Sequence, residues 1–585
     1  MKFLKNLLAA FIGSLIAFGF LMLLTFGIIG GLVGGLMSSS EPVTVYPNSV
    51  LKIDLSSAIG EQTVSEPLDF STIVPYSGST SSLGILDAVK SIDHAAQDPD
   101  IKFIYLTNCA YSSGLAYMEE LRGALERFRA SGKPVIAYGQ NFSLGGYYLA
   151  SVADKIYSDE FASNNILGVS TTIFFLKDIL DRFGVEMQLI RHGKYKSAGE
   201  QFIADNISEA NREQNQAMVD ALWQTVRDGI CRSRGITPDA LDKMVNNLEL
   251  NTAEHMLNAG LIDGVYTVNE MEDQLRMLSG AEKIKDVKMI TLDKYAKVRL
   301  KTDYKVKDKI AVIYADGQIN VEGDGITAQK FQPIIRDIRS DSTIKAVVLR
   351  VNSPGGAVQP AEIIRTELEL LQQEKPLIVS YGTMAASGGY WISAGADKIY
   401  SNSSTLTGSI GVFSMIPSFE KTFKDIAHIN PVTVRSHSHA DMYSPSRRLD
   451  SRETEATQEQ IEMIYDKFIT IVSDGRGISK DRVDEIAQGR VWCGNEALGI
   501  NLVNEIGGLT DALDYAATSA GLDNYRIVSY PAVQTSLDKL MENIGSASET
   551  VEAMSDPETL IEKIYGSIRA EAGIYALLPY VYLFE

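Results

Sequence analysis

This sequence predicts an α/β fold built as two tandem copies behind a membrane helix, and three observations carry that expectation. At 585 residues the chain exceeds the roughly 250 to 300 at which one hydrophobic core stops growing. YGQNFSLGGYYLASVADKIYSD, from Tyr138 to Asp159, returns as YGTMAASGGYWISAGADKIYSN, from Tyr381 to Asn402, with 11 of 22 positions identical at an offset of 243 residues. Each copy alternates short β-branched runs with amphipathic segments, the pattern of α/β units with largely parallel strands.

Taken in order, the chain opens with Lys2 and Lys5, followed by an uncharged stretch from Asn6 to Ser40. That exceeds the roughly 20 apolar residues that span a bilayer, so residues 1–40 read as an anchor. A cleaved signal peptide is the rival reading, but its apolar region is usually only about 7 to 15 residues. Basic residues before the span and Glu41 after it put the N-terminus in the cytoplasm and the body outside the cytoplasmic membrane. The similarity around the repeat extends outward, from IKFIYLTN at Ile101 against IKAVVLRV at Ile344, giving domains of roughly 45–300 and 308–545.

In the second copy, Ala346 to Val351 predicts a buried strand and Ser353-Pro354-Gly355-Gly356 a tight turn. A helix with Ile363, Ile364, Glu367, Leu368 and Leu371 at helical spacing follows, then a strand over Pro376 to Tyr381 and a helix opening near Ser387 to Gly389. In a parallel sheet both turns fall at the carboxyl ends of neighbouring strands, where α/β folds usually place their sites. The tail, 546–585, ends in AGIYALLPYVYLFE, too short and Pro-interrupted for a normal span. It reads as a docked segment, a subunit contact or a dip into the membrane interface.

Composition narrows the function. With 54 basic and 74 acidic residues the net charge is −20 and no basic tract appears, which argues against nucleic acid as a partner. Cys109, Cys231 and Cys493 have no metal-site spacing, and the six histidines form no H-E-x-x-H helix, so no metal or other cofactor is implied.

Ser387 in MAASGGY sits between small residues that would let a substrate backbone approach, at an expected helix start with outward N–H groups. A Ser-Gly-Gly segment can equally be a plain helix cap. The N–H groups of Gly355, Gly356 and Gly388 could stabilise an oxyanion, although a Pro-Gly-Gly turn alone is usually structural. A base is harder to find, because His437 and His439 lie in the polar stretch SHSHADMYSPSRR and no G-x-S-x-G elbow is present.

AASGGYWIS around Ser387, VNSPGG from Val351 to Gly356, TLTGSIGVF around Ser409 and GKYKSAGE around Lys196, in that order of argument, resemble the signal peptide peptidase A (protease IV) family. The resemblance covers nearly the whole chain in the long bacterial form. It implies two tandem domains with the fold of the Clp protease subunit and the crotonases. It further implies a Ser-Lys dyad: Ser387 as nucleophile, Lys196 as general base, Ser409 orienting the lysine, and Gly388 with Gly355 or Gly356 as oxyanion donors. Signal peptides and other apolar peptides are the implied substrates, and a homo-oligomer, favoured as a tetramer, the implied assembly.

The duplication supplies its own check. The first copy has Leu144 where the second has Ser387, and the second has the SHSHAD stretch and no lysine where the first has Lys196. Each copy retains what the other lacks. Ser143 and Lys194 are the neighbouring competitors. A lysine base needs burial to lower its pKa from near 10.4. The rival functions are a crotonase-like acyl-CoA enzyme, for which no nucleotide-phosphate site is seen, and a catalytically silent membrane scaffold.

Overall fold

The computed structural model describes residues 43–57, 59–64, 82–111, 114–533 and 574–578. The expected anchor at 1–40 and most of the tail lie outside the described residues. No helix among the described residues is long and apolar enough to cross a membrane.

The first copy contributes β1 (Ser49–Asp54), β2 (Ile59–Gly60), β3 (Leu83–Gly84), β4 (Ile101–Thr107), β5 (Val135–Ser143), β6 (Lys155–Asn165), β7 (Glu186–His192), β8 (Gly264–Val265) and β9 (Met289–Thr291). The second contributes β10 (Lys309–Asp316), β11 (Ile344–Ser353), β12 (Gly355–Ala357), β13 (Leu377–Ala386), β14 (Lys398–Ser401), β15 (Leu406–Gly408), β16 (Val412–Ser418), β17 (Val491–Cys493), β18 (Glu505–Ile506) and β19 (Arg526–Tyr530). β20 (Ile574–Leu577) comes from the tail.

The first copy's strands form a parallel sheet in the order β8-β6-β5-β4-β1-β9. The second repeats that order as β18-β14-β13-β11-β10-β19, again parallel. β15 continues beside the end of β13 and carries β17 antiparallel at the edge. Central strands such as IKAVVLRVNS are buried on both faces, which is why they read as continuous apolar runs rather than alternating ones. The helix Val358–Gln372 covers the second sheet with Ala361, Ile364, Leu368 and Leu371, spaced three and four apart on one face.

A third sheet was not foreseen by the sequence. It is antiparallel, in the order β12-β20-β16-β7, and joins both copies to the tail. The expected turn at Gly355-Gly356 is thus also a short strand. β7 is the first copy's arm, laid along β16 of the second with His192 opposite Val412 and Glu186 opposite Ser418.

A buried ionic seam also ties the copies together. Arg350 on β11 is fully buried and donates to Glu61 Oε2 and Glu120 Oε1 of the first copy, both at 2.8 Å, and to Ser380 Oγ and Tyr381 O of its own. Tyr117 donates to Glu61 Oε1 at 3.0 Å, and the Leu509 N–H to Glu120 Oε2 at 2.9 Å. Each of the four carboxylate oxygens therefore has a hydrogen-bond donor, as burial of an ion triad demands.

Candidate functional site

β11 and β13 are neighbours, and both turns of interest lie at their carboxyl ends, as a parallel sheet predicts. β13 ends at Ala386, and Ser387 follows with φ 54° and ψ −111°, a conformation that is strained for a residue with a side chain. Its N–H is held by Gly408 O at 2.8 Å and its carbonyl accepts from the Trp391 N–H, so the strain is fixed from both sides. The one-turn helix Gly388–Trp391 begins there. The glycines are demanded by close approach: a Cβ on Gly389 would lie 2.9 Å from Ser353 O, and one on Gly388 would lie 3.0 Å from Gly356 N.

Lys196 follows β7 by four residues, in a turn fixed by the Tyr195 N–H donating to Gln488 O and by Arg191 donating to Lys196 O. The pairing of β7 with β16 carries this turn into the second copy. There Lys196 Nζ lies 2.8 Å from Ser387 Oγ, 3.0 Å from Ser409 Oγ and 3.1 Å from Ser409 O. Lys196, Ser387 and Ser409 are each completely buried. Burial pushes the amine well below its ordinary value of 10.5. Among the described residues no carboxylate is bonded to it, and burial is the cause of the shift.

The competitors fare differently. Ser143 Oγ caps the helix Leu144–Ala150 by accepting from the Gly146 N–H, and donates to Tyr111 O. Lys194 is exposed, with its amine over the Tyr195 ring and 3.9 Å from Glu213. Five of the six histidines bond elsewhere: His439 to Glu453, His437 to Ser436, His192 to Glu462, His94 to Tyr295 and His255 to Asn251.

Gly355, Gly356 and Gly388 converge beside Ser387. The Gly355 N–H donates to Ser353 Oγ at 3.2 Å. Residues 574–578 lie across these glycines as a strand between β12 and β16, Ala576 opposite Gly356 and Tyr575 opposite Phe413. Ala576 O comes within 3.1 Å of where a Gly388 Cβ would stand, and the Leu578 N–H donates to Pro354 O at 2.6 Å. Residues 574–578 are therefore docked here, and the groove between β12 and β16 accepts an extended chain.

Two residues at the site escape sequence reasoning. A Cβ on Gly489 would lie 2.6 Å from both the Lys196 nitrogen and its Cβ, and one on Gly411 would lie 3.2 Å from Lys196 Cδ. Both belong to the second copy, hundreds of residues away, and no local signal marks them.

Comparison with known proteins identifies the family. Residues 127–282 and 369–523 match the model of peptidase family S49, one match in each copy. The chain is 37% identical over 455 residues to Protease 4 of Haemophilus influenzae, covering 74% of this chain and 72% of that protein. It is 36% identical over 493 residues to Protease 4 of Salmonella typhi, covering 80% and 78% respectively. The chloroplastic serine protease SPPA of Arabidopsis thaliana is 29% identical over 501 residues, covering 83% and 74%. With the repeat, the site motifs and these relatives in agreement, the chain belongs to the signal peptide peptidase A (protease IV) family, peptidase family S49, and is a serine protease.

Proposed function

We propose that this chain is a membrane-anchored endopeptidase that uses a Ser-Lys dyad to degrade cleaved signal peptides and other apolar peptides at the outer face of the cytoplasmic membrane. The observation that carries the reading is the 2.8 Å approach of a fully buried Lys196 amine to Ser387 Oγ. A neutral amine has two hydrogens and one lone pair. Its three neighbours suit that state: it donates to Ser409 O and Ser409 Oγ, and accepts the Ser387 hydroxyl proton.

In the reaction, Ser387 Oγ attacks the peptide carbonyl carbon as its proton passes to Lys196 Nζ. The developing oxyanion takes hydrogen bonds from the N–H groups of Gly388 and Gly356, since the Gly355 N–H is engaged by Ser353. Collapse breaks the C–N bond, and Lys196 returns its proton to the leaving amine. Water, deprotonated by Lys196, then hydrolyses the acyl-enzyme ester. Ser409 holds the amine in line throughout. Substrate binds as an added strand between β12 and β16, a mode that reads backbone and leaves sequence preference to side-chain pockets.

The Clp protease and crotonase type of domain at 45–300 and 308–545, the single N-terminal span at 1–40 and a homo-oligomer, a tetramer by resemblance, complete the reading. The test is hydrolysis of a synthetic signal peptide by the detergent-solubilised protein, with fluorophosphonate labelling. Ser387→Ala should abolish both labelling and turnover, and Lys196→Ala should lower turnover on the order of 10⁴-fold or more. Retained hydrolysis in either variant, with the protein folded, would refute the dyad.

A further inference from the structure

Arg490 and Trp492 are two residues apart at the start of the edge strand β17, so their side chains fall on one face while Val491 between them turns inward and is buried. The guanidinium carbon of Arg490 lies 4.4 Å from the centre of the Trp492 ring and 5.1 Å from that of Tyr195, the residue before Lys196. Both distances are within cation–π range, and the Tyr195 ring belongs to the first copy. Glu213, on the helix Glu209–Arg234 of that copy, accepts the Tyr195 hydroxyl at 3.1 Å and stands 3.5 Å from Arg490 Nη1.

The backbone at the same place holds the other partner of the lysine. Arg490 O accepts the Ser409 N–H at 2.7 Å. Ser409 has φ 48°, a left-handed conformation that a residue with a side chain keeps only under restraint, and its hydroxyl lies 3.0 Å from Lys196 Nζ. Two residues earlier, Gln488 O accepts the Tyr195 N–H at 2.8 Å, and the Gly489 N–H donates to Ile410 O at 2.8 Å. Residues 488–490 thus grip the turn that carries Lys196 and the segment that carries Ser409.

Resting on the dyad in the proposed function, we propose that Arg490 is a positioning residue for it, a clasp whose side chain fixes Tyr195 and whose backbone fixes Ser409. The stacked, paired guanidinium suits that task, because a planar fork can lie on rings and meet a carboxylate at once. The charged groups around the clasp are Glu213 and Lys194 from the first copy and Arg490 itself, and none of them bonds Lys196 Nζ.

The first copy shows the same place without a dyad. The helix after β17 is capped at Cys493, and the corresponding helix, Ala253–Asn258, at Thr252. Counting back from the two caps sets Leu250 against Val491, both buried, and Leu248 against Gly489, both at positive φ. Glu249 then stands where the second copy has Arg490, and Asn251 where it has Trp492. The SHSHAD stretch that replaces the lysine turn holds no tyrosine. A fastening required by the fold alone would recur in both copies. This one occurs only where a lysine has to be held.

The test is peptide hydrolysis by the detergent-solubilised full chain across a range of pH, on variants whose folded fraction is checked by denaturant titration. Arg490→Ala should lower kcat by about 10- to 100-fold at the alkaline plateau with KM unchanged, because the substrate groove between β12 and β16 contains neither Arg490 nor Tyr195. The acid limb of kcat/KM should move to higher pH, since a loosened turn hydrates the amine and a neighbouring cation is gone. Arg490→Lys, which keeps the charge without the planar stack, should recover part of kcat. From the other side, Tyr195→Ala should reproduce the Arg490→Ala effect, and Tyr195→Phe, which keeps the ring, should retain more activity. The double variant Arg490→Ala with Tyr195→Ala should fall within about threefold of the slower single, because each change removes the same contact. A kcat within twofold of wild type, additive losses in the double variant, or an unmoved acid limb overturns the clasp. If Lys196→Ala still hydrolyses peptide, the dyad reading falls with it; if only the Arg490 and Tyr195 results fail, the dyad stands without this support.

Discussion

Lys196 is an ionisable amine placed where a positive charge is least welcome, and that cost can be measured. Its native pKa lies below the unfolded value near 10.5, so between the two the unfolded chain binds a proton that the native chain does not. Stability therefore rises with pH across that window, and the penalty is full below the lowered value. Lys196→Met, which removes the term, should raise Tm near neutrality, and the gain should shrink as the pH approaches 10.5. A gain independent of pH would show that the amine does not titrate as burial requires. On the proposed mechanism the same group is the base and must be neutral to act, so kcat/KM should climb as pH rises through the lowered pKa. Ser409→Ala deletes one of the amine's three partners and leaves the carbonyl of Ser409 in place. It should lower kcat by about 10- to 100-fold with little change in KM, because this buried hydroxyl bonds the amine.

At the scale of elements, the site depends on small residues that come from distant segments. Gly489 has φ 77° and no room for a Cβ beside Lys196. Gly489→Ala should cost about 1–3 kcal/mol in strain and push the lysine out of line, lowering kcat more than it raises KM. Gly499→Ala, where nothing lies within 4 Å of the added atom, is the neutral control. β20 makes a second prediction. Because residues 574–578 fill the groove that substrate would occupy, a chain truncated after Val533 should show a several-fold lower KM for short peptides at unchanged kcat. An unchanged KM would mean that the tail leaves the groove freely. These elements also mark the limit of what the sequence discloses. The repeat at 243 residues foretells the parallel sheets and the division of Lys196 from Ser387, because those follow from local pattern and from comparing one copy with the other. Nothing local foretells that β7 crosses to β16, that Gly355 to Ala357 pairs with the tail, or that Gly489 shields the lysine. Each of those is a contact between segments tens to hundreds of residues apart, decided by packing.

On the scale of the molecule, a single site made from two copies requires the copies to be held in one fixed arrangement, and two seams do this. One is the strand pairing of β7 with β16. The other is the buried triad of Arg350 with Glu61 and Glu120, on the same strand, β11, that leads to the Ser353–Gly356 turn. Removing one partner from such a triad leaves uncompensated charge in the interior, whereas replacing all of it with neutral groups of similar size often costs little. Arg350→Ala should therefore destabilise the protein by about 3–5 kcal/mol in denaturant titration, with loss of hydrolysis to match. The triple replacement Arg350→Met, Glu61→Gln and Glu120→Gln should recover most of that stability. Recovery of stability with activity still absent would assign the triad a second task, fixing the angle between copies on which the 2.8 Å contact of Lys196 with Ser387 depends. Recovery of both would make it a fastening only, with the strand pairing alone setting the geometry. If Arg350→Ala were neutral in both measurements, the copies would be held by β7 and β16 without it, and mixing separately expressed halves should then restore hydrolysis readily.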